Sequence, residues 1–244
     1  MFNTGKFYEM IGDEYDSEKF IKRYENVIIA KGGDGTLLKA IKRFGDEGLP
    51  FWGINAGTVG FLMNDKCITY TDPDKIKSVE FSRIKVEVTY VKSVRDMASI
   101  FDKDIEVTET FEAFNDIMIG GDMNSWISFD VTEKDEIFAK FKGGGLIIST
   151  PQGSTGINKN NGGVVLPLSS NMWSITGDKT DRHIEYVIKP RRMIIKAESR
   201  TDIALWVDGS NQVINRVKNL KVSKGSKVIV MFGDFEDFKI KRRL

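Results

Sequence analysis

A chain of 244 residues, 41% hydrophobic and 11% aromatic, is long enough for one large domain or two modest ones and apolar enough to build real cores, which excludes a disordered polypeptide. Thirty-six basic against 35 acidic side chains leave a net charge of +1, so no overall field calls for nucleic acid or an anionic membrane, and the basic tail Lys239, Lys241, Arg242, Arg243 reads as a solvated end. The single cysteine, Cys67, excludes an internal disulfide. No apolar run approaches the roughly 18 residues of a membrane span and no secretory segment opens the chain, so a cytoplasmic protein with neither membrane nor nucleic-acid partner is expected.

In chain order, residues 1–25 open weakly, with Ser17 expected to cap a helix through Phe20, Ile21 and Tyr24. The next stretch, NVIIAKGGDGTLLKAIKR from Asn26 to Arg43, is more definite. Val27 to Ala30 form a short continuous apolar run, as a strand buried on both faces of a parallel sheet does. From Thr36, Leu37, Leu38, Ala40, Ile41 and Phe44 fall at helical spacing, with Lys39, Lys42 and Arg43 on the wet face and Gly45 as a C-terminal cap. Between strand and helix lie Gly32, Gly33, Asp34 and Gly35. Glycines there let phosphates approach backbone amides, and Asp34 sits at the carboxyl end of the strand, where open α/β sheets place ligands. Taken alone the turn is also an ordinary Asp-Gly turn. It is neither a P-loop nor a GxGxxG fingerprint.

Residues 50–62, PFWGINAGTVGFL, predict a second buried strand (Phe51, Trp52, Ile54) that runs into a glycine loop at Gly57 and Gly60, so two adjacent strands deliver glycine loops to one sheet edge. Thr71, Asp72 and Pro73 then predict a short helix through Ile76 and Val79. From about Ser82 the period changes to two, Ile84, Val86 and Val88 alternating with Lys85, Glu87 and Thr89. Further strands are expected at Ile127 to Val131, Leu146 to Ile148, Met193 to Lys196, Ala204 to Val207 and Lys227 to Met231. The expected fold is an α/β N-terminal domain, residues 1–80, followed by a larger β-rich C-terminal domain, residues 81–244, whose last strand and tail are free to return to the first.

Three clusters in the β half carry chemistry. Asn115 and Asp116 set an amide beside an acid at the head of an apolar run, suited to a vicinal diol such as a ribose, although an Asn-Asp turn explains them too. TPQGSTGIN, Thr150 to Asn158, follows a strand with a proline, a glycine turn and three hydroxyls. WVDGS, Trp206 to Ser210, reads by itself as a hairpin turn. His183, the only histidine, excludes a histidine-based triad and reads as structural.

Taken together, GGDGT (Gly32 to Thr36), GINAGTVGFL (Gly53 to Leu62), FND (Phe114 to Asp116), STPQGSTG (Ser149 to Gly156) and VDG (Val207 to Gly209) resemble the NAD kinase family, which has these motifs in this order with an Asn-Glu pair at 115–116. GGDGT alone would also resemble diacylglycerol or sphingosine kinases and phosphofructokinases; the second and fourth motifs favour NAD kinases. The resemblance implies that family's two-domain fold and the transfer of a phosphoryl group from ATP or polyphosphate to the 2′-hydroxyl of the adenosine ribose of NAD, with Mg²⁺ accompanying ATP. It makes Asp34 the base that takes the hydroxyl proton. Gly33, Gly35 and Thr36 would hold phosphates, and Asn115 and Asp116 a ribose diol. Asn55, Phe61, Lys142, Ser154, Thr155, Gly156, Ile157, Asn158, Asn160 and Asp208 would line the nucleotide sites. No protein metal ligands are assigned, and a homo-oligomer, dimer or tetramer, is implied.

The chain departs from the family at Gly144, where an acid is usual, at Gly156, which replaces an alanine, and at Ile157, where a tyrosine is common. Two other functions therefore stand beside an NAD kinase: a superfamily kinase with another nucleoside or hydroxyl acceptor, and a non-catalytic nucleotide-binding regulator.

Overall fold

The computed structural model describes residues 19–65, 76–95, 102–122, 126–209 and 212–233. Its elements in chain order begin with β1 (Phe20–Arg23), β2 (Ile28–Gly32), α1 (Asp34–Phe44), β3 (Phe51–Asn55), β4 (Lys77–Arg95), β5 (Asp102–Ala113) and β6 (Asp116–Gly120). They continue with β7 (Ile127–Glu133), β8 (Glu136–Gly143), β9 (Gly145–Ser149), α2 (Ile157–Asn160), β10 (Trp173–Asp178), β11 (Glu185–Ile188), β12 (Met193–Glu198), β13 (Ala204–Val207), β14 (Gln212–Ile214) and β15 (Val217–Phe232). The chain divides into two compact units, Met1–Phe81 with Lys227–Leu244, and Ser82–Ser226.

In the first unit β2 and β3 are parallel neighbours, Ile28 opposite Phe51 and Gly32 opposite Asn55, so their glycine-rich ends emerge at the same edge. Every residue of β2 is buried, as its unbroken apolar run predicts. Val27, Ile29, Trp52, Ile54 and Met231 form the core on one face. α1 packs on β2 and β3, with Leu37, Ala40 and Ile41 buried. Burying each such Leu or Ile side chain contributes about 1.5–3 kcal/mol. The C-terminal end of β15 completes this sheet, Val230 opposite Phe51 and Met231 opposite Trp52, both parallel. The buried Asn64 amide fastens it, donating at 3.0 Å to the carbonyls of Gly53 and Met231 and accepting from the Gly233 N–H at 2.8 Å.

Two expectations are corrected here. The segment expected as a helix through Phe20, Ile21 and Tyr24 contains a strand, Phe20–Arg23, antiparallel to β2, because the free edge of β2 takes a partner and Tyr24 closes the turn through its N–H to the Val27 carbonyl; Ser17 lies outside the described residues. The helix expected from Thr71 through Val79 also fails at its described end. Lys77 already belongs to β4, and residues 66–75 lie outside the described set. Phe81 packs edge-on against Phe232, ring centroids 6.3 Å apart, so the apolar residues here serve a strand.

The second unit is built from strands, as the period of two predicts. β6, β9, β10, β11, β13 and β14 form one antiparallel sheet in the order β11-β10-β9-β6-β13-β14. β7 lies between β8 and β12, and β12 pairs with β15. β4 and β5 make a long antiparallel ladder from Ile84 opposite Ala113 to Arg95 opposite Asp102. Inward residues of these strands, among them Ile117, Ile119, Phe129, Leu146, Ile148, Trp173 and Leu220, form one continuous core. Phe129 and Phe141 stack in it with centroids 4.9 Å apart.

Candidate active site

Asp34 is the first residue of α1, capped by Gly33 in an extended conformation. Its carboxylate is half-buried and accepts two backbone hydrogen bonds, from the Phe61 N–H to Oδ2 at 2.9 Å and from the Leu62 N–H to Oδ1 at 2.7 Å. The acid of the first glycine loop is therefore oriented by the end of the second. Each carboxylate oxygen keeps acceptor capacity after one such bond. A Cβ at Gly33 or Gly35 would meet nothing within 4 Å, so the backbone beside the carboxylate is open on that side. The Thr36 side chain folds back over Gly32 instead, where a Cβ would come within 2.1 Å of its Oγ1.

Asn55 shapes the second loop. Its Oδ1 accepts from the Gly57 N–H at 3.0 Å, and its Nδ2 donates to the Val59 carbonyl at 3.3 Å. Gly60 has φ +62 and would place a Cβ 2.5 Å from the Asn55 amide, so both its backbone and its missing side chain are required. The loops also touch, since a Cβ at Gly57 would stand 3.2 Å from the Gly33 Cα. Phe61 contributes through its N–H; that role has a sequence signal only in the GFL that ends the motif.

In the second unit Asp208 does more than open a hairpin. At φ +51, its carboxylate accepts from the N–H groups of Phe114 at 2.9 Å, Asn115 at 2.7 Å and Asp116 at 3.3 Å. It thus fixes the entrance to β6. From the other side, Thr150 Oγ1 donates to the carbonyls of Phe114 and Asn115, both at 2.8 Å, and Gln152 Nε2 to that of Phe114 at 2.6 Å. A Cβ at Gly153 would fall 2.2 Å from the Asn115 carbonyl oxygen, which is why the turn passes there on glycine. Asn115 itself is half-buried, and its Oδ1 is buried with no hydrogen-bond partner among the described residues. Asp116 is buried, and burial together with the nearby Asp208 charge pushes its carboxyl up to about 7.

The TPQGSTGIN segment divides by direction. Ser154 is fully buried, donating to the Pro151 carbonyl at 2.8 Å and accepting from the Leu166 N–H at 2.9 Å. Asn158 is also fully buried, giving its Nδ2 to the Ser154 and Val164 carbonyls at 3.1 and 2.9 Å while its Oδ1 accepts from Thr176 at 2.7 Å. These two hold the shape of the loop. Thr155, Gly156, Ile157 and Asn160 are the half-buried or exposed positions it presents. Lys142 is exposed on β8, its N–H bonded to Asp181 Oδ1 at 3.1 Å. Next to it the Gly144 N–H donates to the Asp178 carbonyl at 2.9 Å, and a Cβ at 144 would meet the Asp178 carboxylate at 3.2 Å. An acid at 144 would face that like charge, a physical reason for the glycine. His183 is an exposed residue paired with Glu185.

Among the described residues no group of three or more His, Cys, Asp or Glu is placed to hold a metal ion. No described helix is long and apolar enough to cross a membrane.

The family model of the ATP-NAD kinase N-terminal domain matches residues 10–79. An NAD kinase of Clostridium beijerinckii is 31% identical over 230 residues, 89% of this chain and 77% of that protein. NAD kinase 1 of Bacillus subtilis is 26% identical over 241 residues, covering 89% of this chain and 83% of that protein. Among solved structures, an NAD kinase from Archaeoglobus fulgidus in complex with ATP matches with a TM-score of 0.69 at 18% identity, over 100% of this chain and 94% of that one. Yeast NADH kinase complexed with NADH matches with a TM-score of 0.72 at 19% identity, over 91% and 65%. At these identities the two structures show the fold.

Proposed function

This chain belongs to the NAD kinase family, and we propose that it transfers the terminal phosphoryl group of ATP to the 2′-hydroxyl of the adenosine ribose of NAD, giving NADP and ADP. The observation that carries the reaction is the amide grip on Asp34, an acid aimed by Phe61 and Leu62 from between two glycine loops. Phosphoryl transfer asks a protein mainly for positioning, charge stabilisation and a proton acceptor. In this reading Asp34 takes the 2′-hydroxyl proton as the oxygen attacks phosphorus, and the open backbone at Gly33 and Gly35 leaves room for phosphates. Asn115 and Asp116 hold a ribose diol, while Thr155, Gly156 and Ile157 border the dinucleotide. Mg²⁺, when bound with ATP, would neutralise phosphate charge, and no described residues form a group of three or more His, Cys, Asp or Glu placed to hold it. The same reading places the enzyme in the cytoplasm as a homo-oligomer, dimer or tetramer.

Purified protein with Mg²⁺, ATP and a panel of NAD, NADH and adenosine, read out as NADP, tests it. NADP formed from NAD is the expected result. Turnover of another acceptor alone would point to a superfamily kinase with a different substrate, and nucleotide binding without turnover to a regulator.

A further inference from the structure

The two carboxyls at the head of β6 are not equivalent. β6 and β13 are antiparallel partners with Ile117 opposite Val207, and the Asp208 N–H donates to the Asp116 carbonyl at 3.0 Å. The Asp208 carboxylate receives three backbone N–H bonds. Asp116 is 8% exposed, and the Asp208 charge lies close enough to act on its carboxyl. The strand on its other side, β9, sets Ser149 opposite it, and that hydroxyl donates to the Asn115 and Thr150 carbonyls. Thr150 to Asn158 carry no titratable side chain, so Asp208 is the charged group that faces Asp116.

A largely buried carboxylate is costly, and a second negative charge beside one already held by amides is costlier. One proton therefore serves both groups and rests on Asp116. A neutral carboxyl offers a donor and an acceptor together, which matches a hydroxyl, and it adds no negative charge where a ligand with two phosphates must bind.

We propose that Asp116 and Asp208 act as a one-proton carboxyl pair, in which neutral Asp116 exchanges hydrogen bonds with the ribose of the dinucleotide while Asp208 keeps the charge, so that affinity falls when the shared proton leaves. The ligand half rests on the ribose-holding role given above to Asn115 and Asp116; the proton half does not.

Two measurements on the full chain test the halves separately. Carbon-13 titration of the aspartate carboxyls in the free protein should show Asp116 titrating near neutral pH; Asp116 titrating in the ordinary carboxylate range overturns the pair. Calorimetric titration with NAD from pH 6 to 8.5 should show affinity falling toward about tenfold per pH unit on the alkaline side. Asp116→Asn, which keeps a donor and an acceptor, should bind NAD equally at both ends of that range and about as tightly as the native protein at pH 6. Affinity that is flat with pH in the native protein, or weak binding by Asp116→Asn at every pH, overturns the ligand half. Absence of NAD binding at any pH removes the proposed function and with it the ligand half, while the carbon-13 titration still decides the pair.

Discussion

Asp34 and Asp208 are each gripped by more than one backbone amide, and the grips serve different ends. Asp34 takes two N–H groups from the end of the loop after β3, and Asp208 takes three from the entrance to β6. Each acid follows the end of a strand and draws its donors from a distant stretch of chain. Around Asp34 the neighbouring glycines leave empty space. Asp208 instead has the buried Asp116 beside it, Thr150 and Gln152 packing its amide donors from behind. The same hydrogen-bond device prepares an acid for chemistry where its surroundings are left open, and locks a strand in place where they are filled.

Breaking the first grip has the largest expected consequence. Asp34→Asn should lower kcat by about 10²-fold or more, as loss of a general base does. The structure adds a second effect. An amide at 34 points its NH₂ at one of the two backbone N–H donors, so thermal stability should fall as well, by about 1–3 kcal/mol for the unsatisfied donor. Near-native kcat in steady-state assays would remove Asp34 as the base.

The second grip is tested by Asp208→Asn, since asparagine tolerates the left-handed backbone and any loss reports the hydrogen bonds. Stability measured by urea unfolding should drop by about 2–3 kcal/mol.

Asp116 sharpens the contrast through pH. Its carboxyl is raised from 3.8 to about 7 in the folded protein, so between those values the folded state binds more protons than the unfolded one. Its contribution to stability is complete below about pH 4 and is lost as pH rises through about 7, with a slope of at most about 1.4 kcal/mol per pH unit. Urea melts from pH 4 to 8 should show this decline superposed on other titrations, and Asp116→Asn should lack it.

The smallest effect is expected at Ile157, a half-buried residue that opens α2 outside the core of the second unit. Because it is not enclosed, Ile157→Tyr should leave the melting temperature unchanged and tighten NAD binding by about 0.5–1.5 kcal/mol through stacking, measured by calorimetry. A lowered melting temperature with unchanged affinity would place residue 157 in the packing rather than beside a base.

What was legible in the sequence tracks the range of the interactions involved. β2, its glycine turn and α1 occupy one stretch, and their signals are the local ones of apolar run, glycine and helical spacing. The alternation after Ser82 likewise reports each strand's own two faces. The grip of Asp208 on Phe114 spans 94 residues and left no trace beyond an Asp-Gly dipeptide. Ser154 and Asn158 read as ligand-facing because hydroxyls and amides near a glycine turn usually are; their buried bonds instead run to Leu166, to Val164 and, on β10, to Thr176, 6 to 18 residues further along the chain. The strand at Phe20–Arg23 and the start of β4 at Lys77 were hidden for another reason. A capping serine and a Thr-Asp-Pro triplet are helix signals, and tertiary pairing overrode them at the described residues that follow.

Asn64 bonds to Met231 and Gly233 across 167 and 169 residues of chain. During translation β2, α1 and β3 therefore leave the ribosome long before the strand that completes their sheet, and the whole of Ser82–Ser226 is made in between. Until Val230 and Met231 arrive, β3 is an exposed apolar edge, the kind of surface that recruits chaperones or a neighbouring nascent chain. The unit that carries Asp34 is begun first and finished last, so a chain stalled before Lys227 holds the acid and its glycine loops without the strand that completes their sheet.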